Sequence, residues 1–340
     1  MRKGVNPQKN DAITDVNYIH QIVIPVYIPN SSGYFKDALK ILKICLLSLN
    51  KTAHSKTFIT IVNNGSSIEV INYLNKQLLQ NNIQELIHTT NIGKNNAILK
   101  GIKGHNFKLI TIADADVLFL NGWQDNTIKV FNEFPKVGVV GLVPQFKLYK
   151  SLSYNVLYDN IFSKQLKFTQ VKDPESMKLF YKSIGWKDNY NKDYLKLHLT
   201  ITSKSSLEAV VGSGHFVATY KREALELNPK VALQEKLSPK QDRALLDIPV
   251  LKVGGWRLTT AQNYAYHMGN VYEDWVGNQM EDLTNEGNRQ PLQLDHKKLN
   301  SNKVSYFFKN HLFRKLMQYK KIMELFLISK GLPKSMAKKY

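Results

Sequence analysis

Apolar runs alternate with helical periodicities along the first part of the chain. IHQIVIPVY, from Ile19, is a short run with β-branched residues, stopped by Pro25 and Pro29, and it predicts a buried strand. Asp37 to Asn50 carries apolar residues at helical spacing, and Ile68 to Gln80 predicts a second helix. FITIVNNGSS reads as a strand ending in a polar turn, ELIHTT as a short strand, and NIGKNNAILKGI as a turn entering a helix. FKLITIADADVLF predicts one strong strand that runs into acidic residues. Trp123 to Phe134 predicts another helix and VGVVGLVP another strand. Such alternation predicts an α/β protein with a mainly parallel central sheet flanked by helices. Ligands of these sheets sit beyond the carboxyl ends of the strands. Tyr27, Asn63 to Ser66, and Asp114 to Asp116 all fall at those ends, which points to a single site.

Residues 145–205 break the pattern. They are rich in Tyr, Lys and Asn with weak periodicity, and are expected to cap or line the site. LEAVVGSGHFVATYKREAL resumes a strand, a turn and a helix start. DRALLDIPVLKVGGWRLTTAQNYAYHMGN carries a helix, a strand and a late histidine.

Composition narrows the classes. Hydrophobic residues at 43% and charged residues at 22% fit a globular chain and exclude collagen-like repeats, coiled coil and wholesale disorder. The one cysteine, Cys45, excludes an internal disulfide framework and a cysteine-built zinc site. No apolar run is long enough for a membrane span, and the first residues lack a signal-peptide core. The expected location is cytoplasmic, with peripheral attachment to the inner face of the cytoplasmic membrane as a further expectation.

The charge of +20 is uneven. From Lys297 to Tyr340 there are 12 Lys/Arg against one acid, Glu324. Val304, Phe308, Leu312 and Leu316 recur every four residues there, with Phe313 and Met317 alongside and cations between. This stretch predicts a basic amphipathic helical tail. It suits either packing on the preceding domain or an anionic membrane surface contacted through 303–340. Nucleic acid is not an expected partner. The chain lacks zinc spacing and an RNP-like motif, and the acidic D-A-D would sit badly in its groove.

Asp114 and Asp116 follow the apolar LITIA. Carboxylates at a strand mouth need a cation or hydrogen bonds, and their oxygens suit Mg²⁺ or Mn²⁺. Gly93 and Lys94 form a turn at a helix start that can approach a phosphate, although no Walker A loop or G-x-G-x-x-G is present. Asn64 is either part of a plain Asx turn or a base contact. Asp242 reads either as a helix-start acid or as a general base, with Asp247 as its neighbour and competitor. His267 is either a packed imidazole or a neutral metal ligand.

In order, IVIPVY, VNNGSS, NIGKNNAILKGI, ITIADADVLFLNGW, VVGSGHFVATYKREAL, QDRALLD and HMGN resemble the family 2-type glycosyltransferases, from about Ile22 to Asn270. The resemblance implies a GT-A (nucleotide-diphospho-sugar transferase) fold. It also implies a nucleoside-diphosphate sugar donor with UDP as the expected carrier, Mn²⁺ or Mg²⁺, and inversion at the anomeric carbon. Pro25, Val26 and Tyr27 fall where the family holds the base. Asn64 stands where the family commonly has Asp. Gly93 and Lys94 approach the donor, and Asp114, Ala115 and Asp116 match the D-x-D motif, with Asp116 as metal ligand. Gly214 and His215 match the acceptor-side turn. Asp242 matches the acid of the E-D pair, with Gln241 replacing Glu. His267 matches the late histidine that joins the metal.

The implied activity is transfer of a hexosyl or N-acetylhexosaminyl group to a glycan or lipid-linked acceptor in cell-surface polysaccharide synthesis. A sugar-1-phosphate nucleotidyltransferase and a catalytically inactive glycosyltransferase-like binding protein are the alternatives. The expected organisation is a flexible arm over 1–18, a catalytic domain over 19–296 and the basic tail over 297–340. Within the domain, 19–144 is the expected nucleotide-sugar-binding half and 145–296 the acceptor-binding half.

Overall fold

A computed structural model describes residues 4–7, 9, 18–226, 238–295, 297–300 and 302–340. The expected arm lies mostly outside them. The strands are β1 (His20–Val26), β2 (Thr57–Asn64), β3 (Glu85–Thr89), β4 (Leu109–Ala113), β5 (Val117–Phe119), β6 (Val137–Gly141), β7 (Leu166–Gln170), β8 (Leu197–Thr202), β9 (Glu208–Val211), β10 (Val217–Lys221), β11 (Trp256–Thr260) and β12 (Ala265–His267). Ten form one sheet in the order β3-β2-β1-β4-β10-β6-β11-β9-β8-β7, and β12 and β5 form a ribbon. The β3-β2-β1-β4 half is parallel throughout, and β6 and β11 pair in parallel. Antiparallel β10 lies between β4 and β6.

Helices α1 (Ala38–Thr52), α2 (Ile68–Leu79), α3 (Lys94–Ile102) and α4 (Trp123–Glu133) connect the early strands. Strand alternation decides which face each residue serves. Ile22, Ile24 and Val26 of β1 join a core with Ile41, Leu42 and Leu46 of α1. Val23, between them in sequence, joins Ala97, Ile98 and Ile102 of α3 on the other face. The sheet is thus covered on both sides, as the alternation predicts.

Two expectations are corrected. FKLITIADADVLF is not one strand: β4 ends at Ala113, and β5 leaves for the ribbon. The break falls on Asp114 to Asp116, since charged side chains do not continue a strand buried on both faces. Residues 145–205 are more than a cap. Their β7 and β8 extend the large sheet, alongside α5 (Tyr154–Asp159) and α6 (Pro174–Ser183).

The basic tail is largely helical and packed. Phe313, Met317, Phe326, Leu327, Leu332 and Tyr340 join a core with β6, β11 and α5. The Lys330 ammonium donates to the carbonyls of Asn160, Ile161 and Ser163 at 3.0, 2.7 and 3.0 Å. The row Val304, Phe308, Leu312 and Leu316 faces outward instead. Among the described residues, no helix is long and apolar enough to cross a membrane.

Candidate active site

The carboxyl ends of β1, β2 and β4 open into a cavity of about 580 Å³. Pro25, Val26, Tyr27, Asn64, Lys94, Asp114, Ala115 and Asp116 line it, so residues spread over 92 positions of sequence converge on one space. Tyr34 and Phe35, on a short helical turn after β1, overhang it, with Phe35 edge-on to Tyr27 at 5.9 Å.

Asn64 is buried, and its Oδ1 accepts the amide of Ile92 at 2.9 Å. That bond ties the end of β2 to the turn before α3. Gly65, at φ +87°, makes the tie possible, since a Cβ there would lie 2.8 Å from the Asn91 nitrogen. Gly93 caps α3 at φ +87°, a backbone that favours glycine.

Lys94 follows at the first turn of α3 and forms an ion pair with Asp114. Burial pulls the ammonium down. Asp114, with Asp242 and Asp116 beyond it, more than reverses this and holds its pKa above the usual lysine range.

Asp116 and His267 are brought together by backbone pairing. In the ribbon His267 opposes Val117, and the Met268 amide donates to the Asp116 carbonyl at 2.8 Å. His267 Nε2 stands 3.4 Å from Asp116 Oδ2. The other ring nitrogen, Nδ1, is 2.9 Å from Ser183 Oγ of α6, which fixes the ring's orientation. Phe216 meets the same ring edge-on at 5.2 Å. Burial raises the pKa of Asp116, and the Asp114 charge adds to this, while His267 and Lys94 pull it back only in part. Asp116 Oδ1 is buried without a hydrogen-bond partner. Among the described residues no set of three or more His, Cys, Asp or Glu is gathered as a metal cage. Two protein donors and an unsatisfied carboxylate oxygen fit a hard divalent ion that takes its other ligands from phosphate and water.

The acid-bearing side of the site comes from later segments. Asp242 ends the short helix Pro239–Asp242 and is buried, and Asn95 Nδ2 donates to its Oδ1 at 2.8 Å. His215, in the turn between β9 and β10, lies 3.9 Å from both Asp242 and Asp247. Gly214 lets this turn pass close to Gln145: a Cβ there would meet its Nε2 at 2.5 Å. Asp247 is already committed, paired with buried Arg257 at 2.8 Å.

Asn95, Ser183 and Arg257, the partner that occupies Asp247, were not legible as site residues. Each partner lies on a distant segment, and no local spacing announces the contact.

The sequence model of "Glycosyl transferase family 2" matches residues 22–192. No curated protein matches the sequence. Similar solved structures include S. aureus TarS, at 11% identity and a TM-score of 0.43, covering 94% of this chain and 41% of that one. The chain therefore spans well under half of that protein's length. A TarS 1-349 complex with UDP shows 11% identity and a TM-score of 0.40, over 94% of this chain and 68% of that one. The mannosyltransferase PcManGT from Pyrobaculum calidifontis, in complex with GDP-Man and Mn²⁺, shows 14% identity and a TM-score of 0.37, over 72% and 55%. With the family match running from β1 across the acidic turn to residue 192, this chain belongs to glycosyl transferase family 2.

Proposed function

We propose that the protein transfers a sugar, with inversion, from a nucleoside-diphosphate sugar to a hydroxyl of a glycan or lipid-linked acceptor in cell-surface polysaccharide synthesis. The observation that carries this reading is the placement of Lys94. One ammonium feels Asp114, Asp116 and Asp242 together, at the edge of a cavity large enough for a nucleotide.

In this reading Pro25, Val26 and Tyr27 form the wall for the base, and Asn64 shapes that wall through the turn it holds. Asp114 and Lys94 face the donor's sugar and phosphates. Asp116 and His267 would hold Mn²⁺ or Mg²⁺, which when bound offsets charge on a departing diphosphate. Asp242 takes the proton of the acceptor hydroxyl as its oxygen attacks the anomeric carbon. The bond from that carbon to the phosphate oxygen breaks on the opposite side, so configuration inverts and no enzyme nucleophile is needed. Asp247, spent on Arg257, is the poorer base. Gly214 and His215 border the acceptor's approach. The charge of the tail supports work beside an anionic membrane.

A thermal-shift series with UDP, GDP and dTDP sugars, each with and without Mn²⁺, tests the reading, because a true donor stabilises the folded state by mass action. The expected result is a metal-dependent rise in Tm with one donor class. No rise with any of them would overturn it.

A further inference from the structure

Next to the helical turn of Asp242 lies another cavity, of about 310 Å³, which shares no lining residue with the donor cavity. Lys147, Lys150, Arg243 and Arg314 line it, and no Asp or Glu does. Their partners do not cancel this charge. Lys147 donates to the Tyr194 hydroxyl at 2.9 Å, a neutral group, and Lys150 donates to the main-chain oxygen of Tyr340. The guanidiniums of Arg243 and Arg314 have neither an ion pair nor a hydrogen bond among the described residues. Even with Lys150 set aside, three cations face the space without an acid. Partial burial, and then the charge of Lys147, hold the Lys150 ammonium below the usual lysine range.

The wall of this cavity is tied to the proposed acceptor side. Arg243 directly follows Asp242, so one guanidinium and the proposed base share a helical turn. The loop with Lys147 and Lys150 presses on the chain just before His215: a Cβ at Gly212 would lie 2.5 Å from the Leu148 carbonyl oxygen. Arg257 holds the same loop, donating to the Ser151 carbonyl and to Asp247, each at 2.8 Å. Lys147 and Leu152, both in the wall, stand in left-handed backbone at φ +51° and +53°. Such residues take that conformation at a cost, which the surrounding contacts must hold. Arg314 comes from the packed tail, beside buried Phe313. Cations from three segments are thus gathered around one space, an arrangement whose self-repulsion a bound anion relieves. Guanidinium forks match the paired oxygens of a phosphate.

We propose that this cavity takes a phosphate group of the acceptor and holds it while the acceptor's hydroxyl reaches Asp242. The inference rests on the function proposed above and narrows its acceptor to one that carries phosphate. Free phosphate offers the same oxygens, and the test separates the two sources.

The test is isothermal titration calorimetry of the full chain in EDTA. Glycerophosphoglycerol is the phosphodiester probe, with inorganic phosphate and glucuronate for comparison. Wild type, the pair Arg243→Gln with Arg314→Gln, and Asp116→Asn are titrated, and the melting temperature of each is followed with and without nucleotide sugars and Mn²⁺. Expected is saturable diester binding, weakened by salt, lowered roughly tenfold or more in the arginine pair and unchanged in Asp116→Asn. The pair's melting temperature and its rise with donor are expected to stay as in the wild type. No saturable diester binding, or equal binding by wild type and the arginine pair, would overturn the proposal. So would binding of inorganic phosphate with the diester refused, which makes this a free-anion site, or glucuronate bound as tightly as the diester. Arginine-dependent diester binding with no response to any nucleotide sugar would count against the donor reading and support the phosphate site. A donor response without diester binding would leave that reading standing and sink this one.

Discussion

Asn95 Nδ2 donates to Asp242 Oδ1 at 2.8 Å across 147 positions of sequence, and so joins the first turn of α3, beside Lys94, to the helix that carries the proposed base. The bond holds one carboxylate oxygen and leaves Oδ2 on the side of His215. Asn95→Ala is expected to lower kcat about tenfold, in line with loss of one hydrogen bond to a charged group, with donor KM little changed. Asp242→Asn is expected to lower kcat by roughly 10² to 10⁴ while donor binding persists. Steady-state kinetics beside a donor thermal shift check both; a normal rate in Asp242→Asn discards it as the base.

Removing the ammonium from among the carboxylates gives a second prediction. Lys94→Met leaves Asp114 without its ion-pair partner. Breaking such a pair in a partly buried place costs on the order of 3 kcal/mol. The expected result is a lower Tm without divalent ions and partial recovery with Mn²⁺, read by scanning calorimetry. Recovery of the same size in Lys94→Met/Asp116→Asn would show that the ion binds elsewhere.

The turn between β2 and α2 is predicted to tolerate no side chain at position 65. Gly65→Ala places a Cβ against backbone rather than against a flexible side chain, at a positive φ. A loss of about 1–3 kcal/mol is expected, with a raised donor KM, because the Asn91–Lys94 turn moves with it. Urea unfolding and donor titration measure the two effects.

A fourth prediction concerns acid. His198 on β8 is buried, both ring nitrogens lack hydrogen-bond partners, and burial pushes its pKa down to about 4. The unfolded chain therefore binds the proton more tightly than the folded one. The stability held above the unfolded value, about 6.5, is lost as pH falls from there toward 4. On the order of 3 kcal/mol is at stake. His198→Leu should flatten the decline of Tm between pH 7 and 4. An unchanged slope would assign the acid sensitivity to other groups.

Most of the sheet was legible because its strands are nearly continuous apolar runs and its helices keep a clean 3.6-residue period. The split at Asp114 to Asp116 was not, since Val117, Leu118 and Phe119 are as apolar as the residues of β4 and their pairing with distant β12 leaves no local mark in the sequence. Pro25, Val26, Tyr27, Asn64, Asp114, Ala115 and Asp116 were legible as neighbours from their shared place at strand ends, whereas Tyr34, Phe35 and Asn270, which line the same cavity, were not. Their helpers were not. Ser183 reaches His267 across 84 positions, and nothing near either residue marks the pairing. In the tail, the conspicuous four-residue row proved to be the outward face. Phe313 and Met317, noted only as lying alongside, make the packing.

The ribbon of β5 and β12 has a mechanical consequence. His267 lies in β12 and Asp116 directly precedes β5, tied to the facing strand by the main-chain bond from Met268, whereas Lys94 belongs to a helix on the large sheet. If the ribbon tilts, the bite between carboxylate and imidazole stays the same while their offset from the ammonium changes. In the proposed function, pocket width and the spacing of the proposed metal pair are thereby uncoupled, so substitutions beneath the ribbon would retune the fit of the proposed donor without rebuilding that pair.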